Sequence, residues 1–165
     1  MIKQISIDYL KNAFNIFDDV KRDMVNNGIG QWDDIYPDFK IIENDIINKQ
    51  AYGYFDNEQL VGYIVSNENF DEDYSAVTWK FTDNQPLIVH RLAVKSTFQG
   101  KGVAKKLIQL KAKKDGCLTI RLDAFSSNPK ATGFYKGLGY HLAGKVDFRK
   151  GMFYCFEKRI NLSNG

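Results

Sequence analysis

The stretch VKSTFQGKGVAKKLI, residues 94–108, decides how the rest of the chain reads. An apolar run ends at Val94, a turn follows with glycines at Gly100 and Gly102, and a helical pattern then begins. Glycine removes a side chain where backbone must come close to a ligand. Consecutive N–H groups in such a turn form an anion-binding concavity. The first turn of the following helix adds unpaired N–H groups and the positive end of its dipole. Lys101 and Lys105 add positive charge. The physical reading is a cradle for phosphate or pyrophosphate.

Outward from this corner the chain alternates strands and helices. Residues 2 to 7 read as a short strand, and Asp8 is placed to cap the helix that follows, with the stripe Leu10, Phe14, Phe17, Val20 (or Lys21) and Met24. Gly28 suits its stop. Residues 26–37, NNGIGQWDDIYP, read as a loop carrying aromatics. Asp38 starts a second helix with Phe39, Ile42 and Ile46 on one side. AYGYF and LVGYIVS form a hairpin over the turn DNEQ, and a further strand is expected over Ala76 to Phe81. LIVHRLAV, residues 87–94, is apolar enough for a strand buried on both faces. The helix after the glycine turn keeps Val103, Leu107 and Leu110 on one side, with Ala104 and Ile108 beside them. CLTIRLDAF is another strand, Pro129 opens a short helix through Tyr135, and two closing strands end the order. The class is α/β with a mixed sheet.

Three kinds of cradle compete for the turn. A P-loop requires Gly-Lys-Ser/Thr, with the hydroxyl on magnesium; Val103 follows Gly-Lys-Gly here. A dinucleotide fingerprint requires a third small residue where Lys105 stands, although Asp123 lies at a suitable distance for a ribose. The third pattern, Q/R-x-x-G-x-G/A, is met by Gln99, Gly102 and Ala104. About 25 residues later, NPKATGFYKGLGY (128–140) carries Asn128, Ala131, Tyr135, Gly139 and Tyr140 in the spacing N-x-x-A-x-x-x-Y-x-x-x-G-F/Y. Both signatures, and the element order over nearly the whole chain, resemble the GCN5-related N-acetyltransferase (GNAT) family. The plainer alternative is a glycine turn that only lets a helix pack on a strand.

The resemblance implies one acyl-CoA N-acyltransferase domain over residues 1–165. It implies a mixed, mostly antiparallel central sheet flanked by helices, with strands four and five splayed around the pantetheine arm of acetyl-CoA, the co-substrate. It places Leu92, Ala93 and Val94 on the pantetheine through main-chain groups. Gln99, Gly100, Lys101, Gly102, Val103 and Ala104 fall on the pyrophosphate, and Asn128 and Tyr135 also fall on the cofactor. An N–H near Val94 is the expected oxyanion donor. Tyr135 falls at the family's acid position, where a phenol protonates the leaving thiolate; the alternative is packing on the cofactor.

The base is open. The strand-four glutamate of some family members is Ile88 here. His90, two residues on, shares its face and titrates in a suitable range; a water relayed to backbone carbonyls or to Asp123 is the other course. His141 reads as structural. Trp32 and Tyr36 lie in the loop that usually shapes the acceptor pocket, and either enclose an amine or pack the loop down. Asp33, Asp34 and Asp38 in the same region read as solvated acids that also suit a cation.

The totals bound this reading. A 165-residue chain, 44% hydrophobic and 26% charged, is ordinary globular material. A net charge of +3 spread along the chain suits an anionic small ligand and argues against nucleic acid. Cys117 and Cys155 have no metal or redox spacing, so core thiols are expected and no metal. No run approaches a membrane span, and MIKQISIDYL lacks the apolar centre of a signal peptide, so a cytoplasmic protein is expected. The expected activity is direct acetyl transfer from acetyl-CoA to a primary amine of a small molecule, by a monomer or homodimer. A protein N-terminus or lysine as acceptor, and a non-catalytic acyl-CoA sensor, are the alternatives.

Overall fold

Seven strands form one mixed sheet in the order β1-β2-β3-β4-β5-β7-β6. They are β1 (Ile2–Gln4), β2 (Ala51–Asp56), β3 (Gln59–Asn67), β4 (Leu87–Val94), β5 (Thr119–Phe125), β6 (His141–Phe148) and β7 (Gly151–Arg159). The helices are α1 (Leu10–Asn26), α2 (Phe39–Ile47), α3 (Val103–Asp115) and α4 (Pro129–Gly137). This computed structural model describes residues 1–69 and 72–161. The chain divides into two compact units, Met1–Ser66 with Arg91–Lys111, and Asn67–His90 with Ala112–Gly165.

In the first unit, β1 pairs antiparallel with β2, and β2 with β3. Asn57 and Glu58 both take positive φ in the hairpin turn, as a twist-matched tight turn requires. Helix α1 buries Ala13, Ile16, Phe17 and Val20, an i, i+3, i+4, i+7 face. The expected stripe residues Leu10, Phe14 and Met24 lie at its half-buried margin. Asp8 does not cap α1. It sits in a 3-10 turn, Ile7–Tyr9, and α1 begins beyond it without a side-chain cap. Asp38 does cap α2, its Oδ1 accepting from Ile41 N–H at 2.9 Å. Gly62 of β3 lets α3 come close: a Cβ there would lie 2.8 Å from Leu107 Cδ1 and 2.9 Å from Val103 Cγ1.

Helix α3 turns differently from the expectation. Val103, Leu107, Ile108, Lys111 and Ala112 are buried, and Leu110 is exposed. Lys111 lies one turn beyond Leu107, and its ammonium stands 4.7 Å from the Tyr52 ring centre, so its stem fills the apolar site while its charge meets a π face.

In the second unit, β4 and β5 pair in parallel at Leu87 with Ile120 and Ile88 with Arg121. β5 and β6 each pair antiparallel with β7. No strand forms over Ala76 to Phe81. A 3-10 turn covers Glu72–Ala76, and the N–H groups of Lys80 and Phe81 donate to the carboxylate of buried Glu157 at 2.6 and 3.4 Å. The side-chain acceptor takes the place of a strand partner. Tyr74, Val77, Ile88, Val146 and Cys155 form the local core. No helix among the described residues is long and apolar enough to cross a membrane.

Candidate active site

The glycine turn is built from β4 outward. Lys95 N–H donates to Val61 O at 2.9 Å, which fixes the strand end, and a 3-10 turn over Ser96–Phe98 follows. Asp19 of α1 holds that turn: its carboxylate accepts from Ser96 N–H at 2.7 Å and from Ser96 Oγ at 3.0 Å. Gly100 and Gly102 have φ of +75° and +78°, the left-handed region, with nothing within 4 Å of a Cβ at either. The chain therefore needs glycine for its conformation and leaves open space beside the backbone. Helix α3 starts at once, with Val103 buried and Gly100, Lys101, Gly102, Lys105 and Lys106 exposed. Lys101 Nζ lies 4.7 Å from the Phe98 ring centre. Left-handed glycines with open space beside them, a helix N-terminus and lysines together suit a polyphosphate.

The other expected cofactor residues of this unit are ordered around the turn. Ala93 and Val94 are buried and Leu92 is half-buried. Gln99 Nε2 donates to Val94 O at 3.1 Å, so part of its amide serves the turn itself.

Arg91 breaks the apolar run of β4 and finds a buried partner. Its Nε donates to Asp45 Oδ2 at 2.7 Å, and Nη2 donates to Asp45 Oδ1. Tyr63 donates to the same Asp45 at 2.8 Å, and Arg91 Nη1 donates to Tyr36 Oη at 3.0 Å. Burial, then the Asp45 charge, push the Tyr63 phenol far above its ordinary range. Burial works against the Arg91 guanidinium, but the Asp45 hydrogen bond and the other partners keep it charged. This network ties Tyr36 to β4. Trp32 is buried in the same core, its ring 5.3 Å from Phe17. Asp33 spends its Oδ1 on the N–H groups of Ile35 and Tyr36, both at 3.0 Å.

The second unit holds Tyr135, Asn128, His90, Asp123 and Tyr74. Asn128 caps α4, its Oδ1 accepting from Ala131 N–H at 3.1 Å. Pro129 at the first helical position continues the same start signal. Tyr135 is buried against the rings of Phe134, Tyr140 and Phe156, at 5.2, 5.5 and 5.9 Å. Burial, and then the charge of Asp123, hold its phenol well above the ordinary value. Asp123 is half-buried and accepts from Tyr74 Oη at 2.5 Å. Cys155, opposite Asp123 in the ladder, is pushed up to about 12 by burial and then by Asp123. His90 is exposed, with Nε2 2.7 Å from Asn67 Oδ1. His141 is exposed at the start of β6. Among the described residues no group of three or more His, Cys, Asp or Glu side chains could hold a metal ion.

Residues 15–140 match the model of the acetyltransferase (GNAT) family. The chain belongs to the GNAT family. An acetyltransferase of the GNAT family from Streptococcus agalactiae 2603 superimposes with a TM-score of 0.88 at 23% identity, covering 98% of this chain and 95% of that one. The PaiA N-acetyltransferase from Thermoplasma acidophilum, solved in complex with coenzyme A, gives 0.68 at 20% identity over 97% and 98%. At these identities the structural likeness speaks for the fold, and this GNAT member has the mixed, mostly antiparallel sheet with β4 parallel to β5. N-alpha-acetyltransferase 30 of Saccharomyces cerevisiae is 38% identical over 52 residues, a match spanning 30% of each chain.

The parts played by Asp19, Asp45, Tyr63 and Arg91 in the first unit, and by Asn67 and Tyr74 in the second, were not expected. One of them was signalled in the sequence: a lone arginine inside an apolar strand needs a carboxylate partner. The partner itself lies 46 residues away and only folding brings it close.

Proposed function

We propose that this chain transfers an acetyl group from acetyl-CoA directly to a primary amine of a small molecule. The observation that carries the reading is the pair of left-handed glycines, with open space beside each, at the entrance to α3. Acetyl-CoA supplies an acetyl group already activated as a thioester. The backbone N–H groups of residues 100–104 hold its pyrophosphate, with Gln99 beside them, its own N–H donated to Ser96 O at 3.2 Å, and Lys101 and Lys105 adding charge. Main-chain groups of Leu92, Ala93 and Val94 align the pantetheine arm, and an N–H near Val94 polarises the thioester carbonyl. Asn128 steadies the cofactor from the end of β5. Much of the rate comes from alignment.

Tyr135 donates its proton to the departing sulfur. Its raised phenol pKa keeps that proton in place over the whole physiological range. His90 takes the proton that the amine loses. Tyr36 and Trp32 shape the acceptor side: Tyr36 presents an edge held by Arg91, and Trp32 supports the loop from beneath.

A protein α-amine is the second reading, favoured by the local 38% identity to an N-alpha-acetyltransferase. Calorimetry with acetyl-CoA, followed by thiol release over a panel of small amines and N-terminal peptides, tests both. Thiol release with a small amine supports the first reading. Release with peptides alone moves the function to protein acetylation, and binding without release for any acceptor makes the chain a sensor.

A further inference from the structure

A carboxylate grips the chain just ahead of the glycine turn, where an anion is expected. Two neighbouring acids of α1 show the contrast. Asp18 is exposed and pairs with Arg22 one turn on, a solvated i, i+4 pair. Asp19 is half-buried and faces the segment between β4 and α3. It accepts from Ser96 N–H at 2.7 Å and from Ser96 Oγ at 3.0 Å, all within the first unit.

Ser96 opens the 3-10 turn Ser96–Phe98, and Lys95 before it makes no side-chain cap. The first N–H of the turn therefore takes its acceptor from another element. Ser96 passes the constraint on: its carbonyl accepts from Gln99 N–H at 3.2 Å, and Gly100 comes next. The flanks have anchors of their own. Lys95 N–H donates to Val61 O at 2.9 Å, and Val103 lies so near Gly62 that a Cβ there would stand 2.9 Å from it. The two left-handed glycines lie between these anchors, and Asp19 grips the start of that span.

We propose that Asp19 is a positioning residue for the acyl carrier: through Ser96 it sets the glycine turn before acetyl-CoA arrives, and it acts on binding and not on the chemical step. The inference rests on the reading of that turn as the pyrophosphate cradle. Glycine is the least restrained residue of a chain, and freedom that the turn keeps in the free protein is lost on binding and weakens affinity. The sign separates this role from an electrostatic one. A negative charge by itself repels a pyrophosphate, so its removal would tighten binding. Removal of a brace loosens it.

The test is acetyl-CoA calorimetry and steady-state rates on the full chain. Asp19→Ala should raise Kd about 10-fold or more, as loss of bonds to a charged acceptor implies. The acetyl-CoA KM should rise with it, while kcat at saturating acetyl-CoA stays within about twofold. Amide hydrogen exchange should quicken at residues 96–102. Proline supplies a rescue. Lys95 has φ −49° and ψ 133°, which a following proline accepts, and proline at the first position of a helical turn has no N–H to satisfy. Asp19→Ala combined with Ser96→Pro should bind within about threefold of the wild type. A merely structural Asp19 would lower the urea midpoint without this recovery of affinity. Unchanged or tighter binding in Asp19→Ala, a fall in kcat as large as that in kcat/KM, or a double variant no better than Asp19→Ala overturns the inference. If no acceptor is acetylated, affinity, exchange and rescue decide it without the rates. A wild type that binds no acetyl-CoA removes the cradle itself, whereas a wild type that binds beside an unaffected Asp19→Ala removes this inference alone.

Discussion

At Gly102 the backbone stands at φ +78° with empty space where a side chain would begin. Alanine there has room but not the conformation, and left-handed backbone costs a non-glycine residue about 1–2 kcal/mol. Aspartate adds a charge facing the expected pyrophosphate. Gly102→Asp should abolish acetyl-CoA binding in calorimetry while Gly102→Ala weakens it; equal affinity for both variants and the wild type would remove the cradle from the account. Tyr135 carries a second residue-level expectation. Tyr135→Phe keeps the ring among Phe134, Tyr140 and Phe156 and loses only the proton donor. Turnover in single-turnover thiol release should fall about 10²-fold or more, with acetyl-CoA affinity little changed. Affinity falling in step with rate would point to packing instead.

Between elements, the buried Asp45–Arg91 pair joins α2 to β4 and, through Tyr63 and Tyr36, to β3 and the loop before α2. Side-chain exposure is 6% for Asp45 and 15% for Arg91, so removing either partner strands a charge away from water. Asp45→Ala or Arg91→Ala should cost roughly 3–5 kcal/mol in urea unfolding, whereas a double replacement by well-packed apolar residues should cost much less. A double variant as unstable as the singles would mean the pair itself is strongly net stabilising. The same scale explains the misread elements. Residues 76–81 carry strand-forming types, but Glu157 accepts the N–H groups that a neighbouring strand would have taken. Leu110 fits a helical stripe, but α3 is rotated so that Lys111 lies against Tyr52. In each case a partner distant in sequence outweighs a local preference that is worth a fraction of a kcal/mol per residue.

For the chain as a whole, burial sets the alkaline limit of stability. Tyr63, Tyr135, Tyr140 and Cys155 all hold their protons more tightly when folded, with burial the leading cause. A folded pKa above the unfolded one means that the native state binds more protons between the two values, so stability falls as pH rises there. The contribution is whole below the ordinary thiol value of 9 and is lost as pH climbs toward the Cys155 value of about 12. Urea midpoints should therefore decline from about pH 9 upward, and a midpoint flat to pH 11 would contradict the buried phenols and thiol. Acetyl-CoA, if it binds only the folded chain, should add about 2.7 kcal/mol at a hundredfold excess over its Kd, read as a rise in Tm.

The glycine turn, the α4 start and most of the strand–helix order were legible from residues alone, because each rests on local chemistry: φ freedom at Gly100 and Gly102, helix starts at Asp38 and Pro129, and strand and helix periodicity. The resemblance to the GNAT family rested on the two signatures, at 99–104 and 128–140, and on the element order. Tertiary structure decided that Arg91 meets Asp45, that Glu157 ends a would-be strand, that Trp32 lies in a core, and that Asn67 faces His90. These are pairings of groups far apart along the chain, and burial, which makes an unpartnered charge or N–H costly, selects them only once the sheet has assembled.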